Sequence, residues 1–316
     1  MKLWLLVSVL LCGCPAEPEW SIPVSEGPGG MMLTAWSDGD ELLFGGGDLD
    51  GSAGRLIRAT GDSWCVEELA DRPIWWIHGD GAGAFTAVGE AGLILRSEHG
   101  VVTDESVPTT GTLFGAWHDG DRVWAVGGDA TLGGGEIWLR EGGVWTLFDD
   151  QLPGTVFKVW DDWFVGSGFA MRMEEGVLVD HSPSAAPRLL TVRGRAADDV
   201  WAVGGDASPI LLHWDGTEWT DVAVDPVCAS GGLNGVWTDP GQDVWIAGMS
   251  GAMARWDGTD WHCSELPLTF DHFHAAWMHQ GEAWFAGGDF FQRGDNHATL
   301  GNFGVAATPA EMPACP

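Results

Sequence analysis

Four Gly-Gly-Asp triplets recur in this chain: Gly46-Gly47-Asp48, Gly127-Gly128-Asp129, Gly204-Gly205-Asp206 and Gly287-Gly288-Asp289, with Glu90 following Gly89 in the same manner. A carboxylate behind glycines, in a backbone free to turn tightly, has several uses. It can accept N–H groups from its own loop. Set beside its counterparts on one surface, it can help make a negative face that draws a cationic partner. A calcium role is conceivable only at Asp48-Leu49-Asp50-Gly51-Ser52, which begins like a calcium loop but lacks the full spacing and the distal glutamate. Two such groups, for instance Asp129 and Asp206, could also act as the acid and base of a carbohydrate-active hydrolase or lyase. Asp48, Glu90, Asp129, Asp206 and Asp289 are therefore the candidate acidic binding face.

Other reactive groups offer less. His272 and His274 flank Phe273, and no cysteine or carboxylate joins them at zinc spacing. His78, His118 and His279 fall near the ends of equivalent apolar runs and could converge. No G-x-S-x-G, H-E-x-x-H or G-K-[ST] motif is present, so no catalytic residue, metal ligand or cofactor is assigned. The chain of 316 residues carries 46 Asp plus Glu against 14 Lys plus Arg, a formal charge of −32. Lys158 is the sole lysine beyond position 2. That balance excludes nucleic acid as a partner.

The cysteines place the molecule. Residues 1–13 carry one positive charge and an apolar run too short to span a bilayer, which reads as a signal peptide. The run ends Leu11-Cys12-Gly13-Cys14, which resembles a bacterial lipobox. Cys14 is then the first mature residue and the acylation site. It tethers the chain to membrane lipid, and Pro15, in place of a retaining aspartate, points to the outer membrane. Residues 14–31 read as a lipidated linker. Cys65, Cys228, Cys263 and Cys315 remain, an even number in an exported chain.

The element pattern that must carry these groups is a repeat. LNGVWTDPGQDVWIAGMSGAMARWDGTDW, from Leu233, aligns with stretches from Leu113 and Leu189, and four more worn copies complete seven. The glycine ending the second apolar run falls at Gly46, Gly89, Gly127, Gly166, Gly204, Gly248 and Gly287, about 40 residues apart. This is the blade length of a propeller of four-stranded sheets. An all-β, seven-bladed propeller is expected over residues 32–316. Its second strands are too continuously apolar to face water. The 21 tryptophans, set against no tyrosine, are expected to fill the wedges between blades, with indole N–H groups reaching loop carbonyls.

The G-V-W…D-V-W-A-V-G…W-D-G-x-x-W pattern resembles bacterial propeller-repeat lipoproteins, which look similar to the Ycf48-like, sialidase-like and Kelch-like groups. The resemblance implies a protein- or glycan-binding propeller, and some members of such groups are enzymes. Without tyrosine the chain lacks the sialidase nucleophile and a galactose-oxidase-like copper ligand. Short loops favour an envelope-anchored, non-enzymatic binding or assembly module for a protein or glycan, with a cationic partner suiting the acidic face. The alternative is the hydrolase or lyase. On the repeat, Cys228 and Cys263 fall at adjoining outer strands of blades five and six. Cys315 and Cys65 bear the same relation between blades seven and one, provided that the ring closes, so the disulfides Cys228–Cys263 and Cys65–Cys315 are expected.

Overall fold

The computed structural model describes residues 18–131, 133–290, 296–305, 309 and 311–316. The proposed signal peptide and Cys14 lie outside the described residues. Seven antiparallel sheets of four strands each form the chain into a closed seven-bladed propeller. Among the described residues no helix is long and apolar enough to cross a membrane.

Blades one to six run from the axis outward in chain order. Blade three is typical: Thr112–Asp119 lines the axis, Arg122–Gly128 follows, then Gly135–Glu141, and Val144–Leu152 lies outermost. Burial falls along the same path. Val123 to Gly128 are all buried, whereas the outermost strand is mostly exposed. The second strands are apolar on both faces because blades stack on both sides of them. Trp124, Trp201, Trp245 and Trp284 occupy register-equivalent positions, opposite Trp117, Arg193, Trp237 and Trp277 of their inner strands. All four are buried, and they bridge neighbours: Trp124 meets Phe164 of blade four at 5.5 Å, and Trp284 meets Phe44 and Trp64 of blade one at 5.9 and 5.5 Å.

The expected role of the indole N–H groups needs correction. Trp261 reaches the carbonyl of Ala223, but Trp201 and Trp138 bond to carboxylates, and those of Trp245 and Trp284 are buried without an acceptor among the described residues. These rings are held by packing area rather than by their polar tip.

The repeat glycines are explained by close approach. A Cβ on Gly46 would stand 1.8 Å from the Met31 carbonyl oxygen, and one on Gly127 would stand 2.1 Å from that of Thr112. The second strand ends against the start of the inner strand at a distance only glycine permits.

Ring closure differs from the sequence reading in one respect. The sequence suggests a linker over 14–31, but Glu19–Gly27 is the outermost strand of blade seven, antiparallel to Ala298–Gly304. The propeller thus begins near Glu19, and blade seven is built from both ends of the chain. Trp20 seals the join, with ring contacts to Phe303, Phe285 and Trp245. The other end makes a second latch. Ala314 pairs in parallel with Val66, the Val66 N–H donates to the Pro313 carbonyl, and the Cys315 N–H donates to the Val66 carbonyl. Cys65–Cys315 and Cys228–Cys263 are disulfide-bonded, with Cα separations of 4.9 and 5.5 Å, as the repeat geometry requires.

Candidate binding site at the funnel mouth

All seven inner strands carry a β-bulge near their start. The register slips between Met32 and Thr34, Ile74 and Trp76, Leu113 and Gly115, Val156 and Lys158, Leu189 and Thr191, Leu233 and Gly235, and Phe273 and Ala275. A bulge re-aims the extra residue out of the ladder. The extra residues are Leu33, Trp75, Phe114, Phe157, Leu190, Asn234 and His274, and all seven line one cavity of about 500 Å³. Three consecutive blades contribute an aromatic arc: Trp75 meets Phe114 edge-on at 5.0 Å, and Phe114 meets Phe157 at 5.3 Å. Blades six and seven contribute the polar members. Asn234 donates from Nδ2 to the Phe273 carbonyl, and His274 stacks on Phe290 at 5.2 Å. Burial pushes the His274 imidazole down to about 3, so its ring is neutral at ordinary pH.

One step deeper, the inner strands present Thr34, Trp76, Gly115, Lys158, Thr191, Gly235 and Ala275 at equivalent register. Small residues predominate here, and the space goes to the two large side chains. Lys158 is buried, its Nζ 4.0 Å over the Trp76 ring and 2.5 Å from the Phe114 carbonyl oxygen to which it donates. Desolvation lowers its amine to about 7.

Deeper still, Trp36, His78, Trp117, Trp160, Arg193, Trp237 and Trp277 form the next layer. Arg193 plugs it, lying 5.0 Å over Trp277 and within 6 Å of Trp117 and Trp237, and reaching Asp239 at 2.9 Å. Only about 20 Å³ remains open there. The axis is therefore a blind funnel, wide at one end and closed by a guanidinium among indoles at the other.

The acidic loops stand at the wide end, but their charge is partly spent locally. Asp48 pairs with Arg55 at 2.8 Å, Asp206 pairs with Arg188 at 3.1 Å, and Asp129 accepts the Thr131 N–H of its own loop at 2.8 Å. Burial raises the Glu90 carboxyl above its usual range. The Asp289 carbonyl accepts from Asn296 Nδ2. Of the five, Asp206 lines the cavity, while Ala130 and Phe290 place the loops of Asp129 and Asp289 at its rim. At the calcium-like stretch, Arg55 holds Asp48 while Asp50 accepts the Ser52 N–H. Among the described residues no group of three or more His, Cys, Asp or Glu is arranged to hold a metal ion.

Of the histidines, His272 and His274 both line the cavity. His78 and His118 meet between blades two and three, where the backbone N–H of His118 donates to His78 Nδ1 at 3.1 Å, but as buried packing. His279 lies apart, at the far end of its strand.

No known family's sequence profile matches this chain, and no curated protein matches it either. Solved structures do. YCF48 bound to D1 peptide superposes with a TM-score of 0.65 at 14% identity, covering 91% of this chain and 97% of that one. The likeness is one of fold. Virginiamycin B lyase from Staphylococcus aureus gives 0.68 at 12% identity, covering 92% and 100%. The extracellular domain of a protein described as a hybrid two component system from B. thetaiotaomicron gives 0.65 at 13%, covering 90% of this chain and 39% of that one. One architecture thus serves a peptide-bound protein, a lyase and a sensor's extracellular domain, and function has to be argued from the site.

Proposed function

We propose that this protein is a lipid-anchored binding or assembly module of the cell envelope, and that it takes its ligand at the wide mouth of the funnel. The observation that carries the reading is the bulge ring. Seven blades each divert one residue into a cavity of about 500 Å³, within the size range of ligand pockets. A glycosidase needs two carboxyl groups flanking the scissile bond. Among the described lining residues Asp206 is the one carboxylate, and Arg188 engages it. The likeness to the peptide-bound YCF48 and to the extracellular sensor domain agrees with a binding role outside the cytoplasm.

Two experiments test this. Wild-type protein is expected to retain a ligand or partner from envelope extracts that Leu190→Trp, whose larger ring intrudes on the cavity, retains much less; equal retention by both would overturn the site. Palmitate should label the wild type but not Cys14→Ser, which should leave the membrane fraction. Equal labelling would overturn the anchor.

A further inference from the structure

Lys158 is in the wrong place for an ordinary lysine. It is the only lysine among the described residues of a chain with 46 acidic side chains, yet none of the described carboxylates pairs with it. It is buried under the mouth of the funnel and lines the large cavity. An ammonium group has three donors. One goes to the Phe114 carbonyl, and no acceptor among the described residues takes the others. Burying an amine in this way costs stability unless something answers its charge.

The surroundings say what that would be. The aromatic arc of Trp75, Phe114 and Phe157 stands above the amine, with Leu33, Leu190 and Met249 completing an apolar wall. The other ionisable groups lining the cavity are Arg188, His272, His274 and Asp206; the loops of Asp129 and Asp289 stand at its rim, Asp271 and Asp289 act on His272, and on the closed side the amine faces Arg193 and His78. Arg188 lies 4.9 Å over the Phe157 ring and already neutralises Asp206. With Arg188 paired to Asp206, Arg193 paired to Asp239 and His274 neutral, Lys158 is the cation of the cavity lining that no described carboxylate answers.

Building on the funnel-mouth reading, we propose that the cavity binds a small organic carboxylate with a flat apolar body, its carboxylate on Lys158 and its body against Trp75, Phe114 and Phe157. The geometry is that of an anion site whose counter-charge arrives with the ligand. Two consequences follow from the electrostatics. Binding draws a proton onto Lys158, because the amine sits near 7 when empty and a carboxylate in contact raises it. Added salt speeds association, because it screens the repulsion between the anion and a net charge of −32.

The test is calorimetric titration of the full mature chain with 2-naphthoate and with its uncharged analogue 2-naphthamide. Wild type should bind the carboxylate at least tenfold more tightly than the amide at pH 6.5. Lys158→Met should lose that preference while still binding the amide, and should melt no lower than wild type, since it removes a buried charge and keeps the volume. In wild type, affinity for 2-naphthoate should fall several-fold between pH 7 and 8.5 while that for the amide stays flat, a readout that does not depend on any variant folding. His274, neutral throughout that range, does not contribute. Equal binding of the two probes by wild type, a preference that survives in Lys158→Met, or a marked drop in its melting temperature would each overturn the proposal. If the two probes bind equally well and Leu190→Trp abolishes both, the carboxylate assignment fails and the funnel-mouth site stands. If wild type binds neither probe, the assignment fails, and the envelope capture experiment judges the site.

Discussion

Single residues on the axis show how this fold treats charge. Arg193 takes the register position that tryptophan fills in five other blades, and its guanidinium is accepted because three indole faces and Asp239 surround it. Arg193→Ala should therefore cost about 3 kcal/mol, through lost packing and lost contact with the three indole faces, the half-exposed Asp239 adding little, as measured by denaturant unfolding; a cost below about 1 kcal/mol would show the cage to be incidental. His118 illustrates the opposite solution. It is buried, bonded to Thr86 Oγ1 at 3.0 Å, and kept neutral by burial, which lowers it to about 4. Its unfolded value is near 6.5. As pH falls below 6.5 the unfolded chain gains this proton before the folded one does, so stability drops until the pH reaches about 4 and then levels. His118→Gln should flatten the stability profile across that window, by up to about 1.4 kcal/mol per pH unit. An unchanged slope would remove His118 from the acid response.

At the scale of strands, the blade works through two backbone devices, the closing glycine and the inner-strand bulge. Gly127→Ala forces a methyl into the Thr112 carbonyl, so the second strand must part from the inner one. A loss of at least about 3 kcal/mol is expected; a near-neutral result would mean that the strand end yields freely. The glycine spacing is plain in the sequence because it recurs as one residue type at one interval. The bulge is not. Its column reads Leu33, Trp75, Phe114, Phe157, Leu190, Asn234, His274, seven positions that share a geometry but no one residue type. A repeat read for its sameness passes over the position where copies differ, and that position forms the cavity. The Gly-Gly-Asp carboxylates stand out in the sequence because they repeat, and three of them are engaged by their own loops or by neighbouring arginines. Lys158 shows in the sequence only as a count of one beyond position 2. Its place under the cavity depends on register, which no spacing reveals.

For the whole molecule the decisive feature is a seam closed twice. Blade number, blade order and both disulfides could be read from the repeat because they follow from its period. The strand Glu19–Gly27 could not, because it pairs with residues some 280 positions away and carries too little apolar surface to declare itself. Cys65–Cys315 spans 250 residues, so the chain-entropy model gives it about 5 kcal/mol. Cys315→Ser should lower the melting temperature and admit protease near the termini, while far-ultraviolet circular dichroism of the folded protein stays unchanged; full thermal stability without the bridge would mean that Trp20 and its strand close the ring alone. The early start of that strand also shortens the leash. A linker running to Met31 would let the body wander about 60 Å from an acylated Cys14, but with the first strand beginning at Glu19 the span is five residues, about 17 Å when fully stretched. On the proposed anchor, blade seven would ride against the headgroups with the seam held down, and the disc would swing about that edge like a hinged lid rather than drift as a buoy. A ligand would then have to be met in the thin layer of fluid at the bilayer surface.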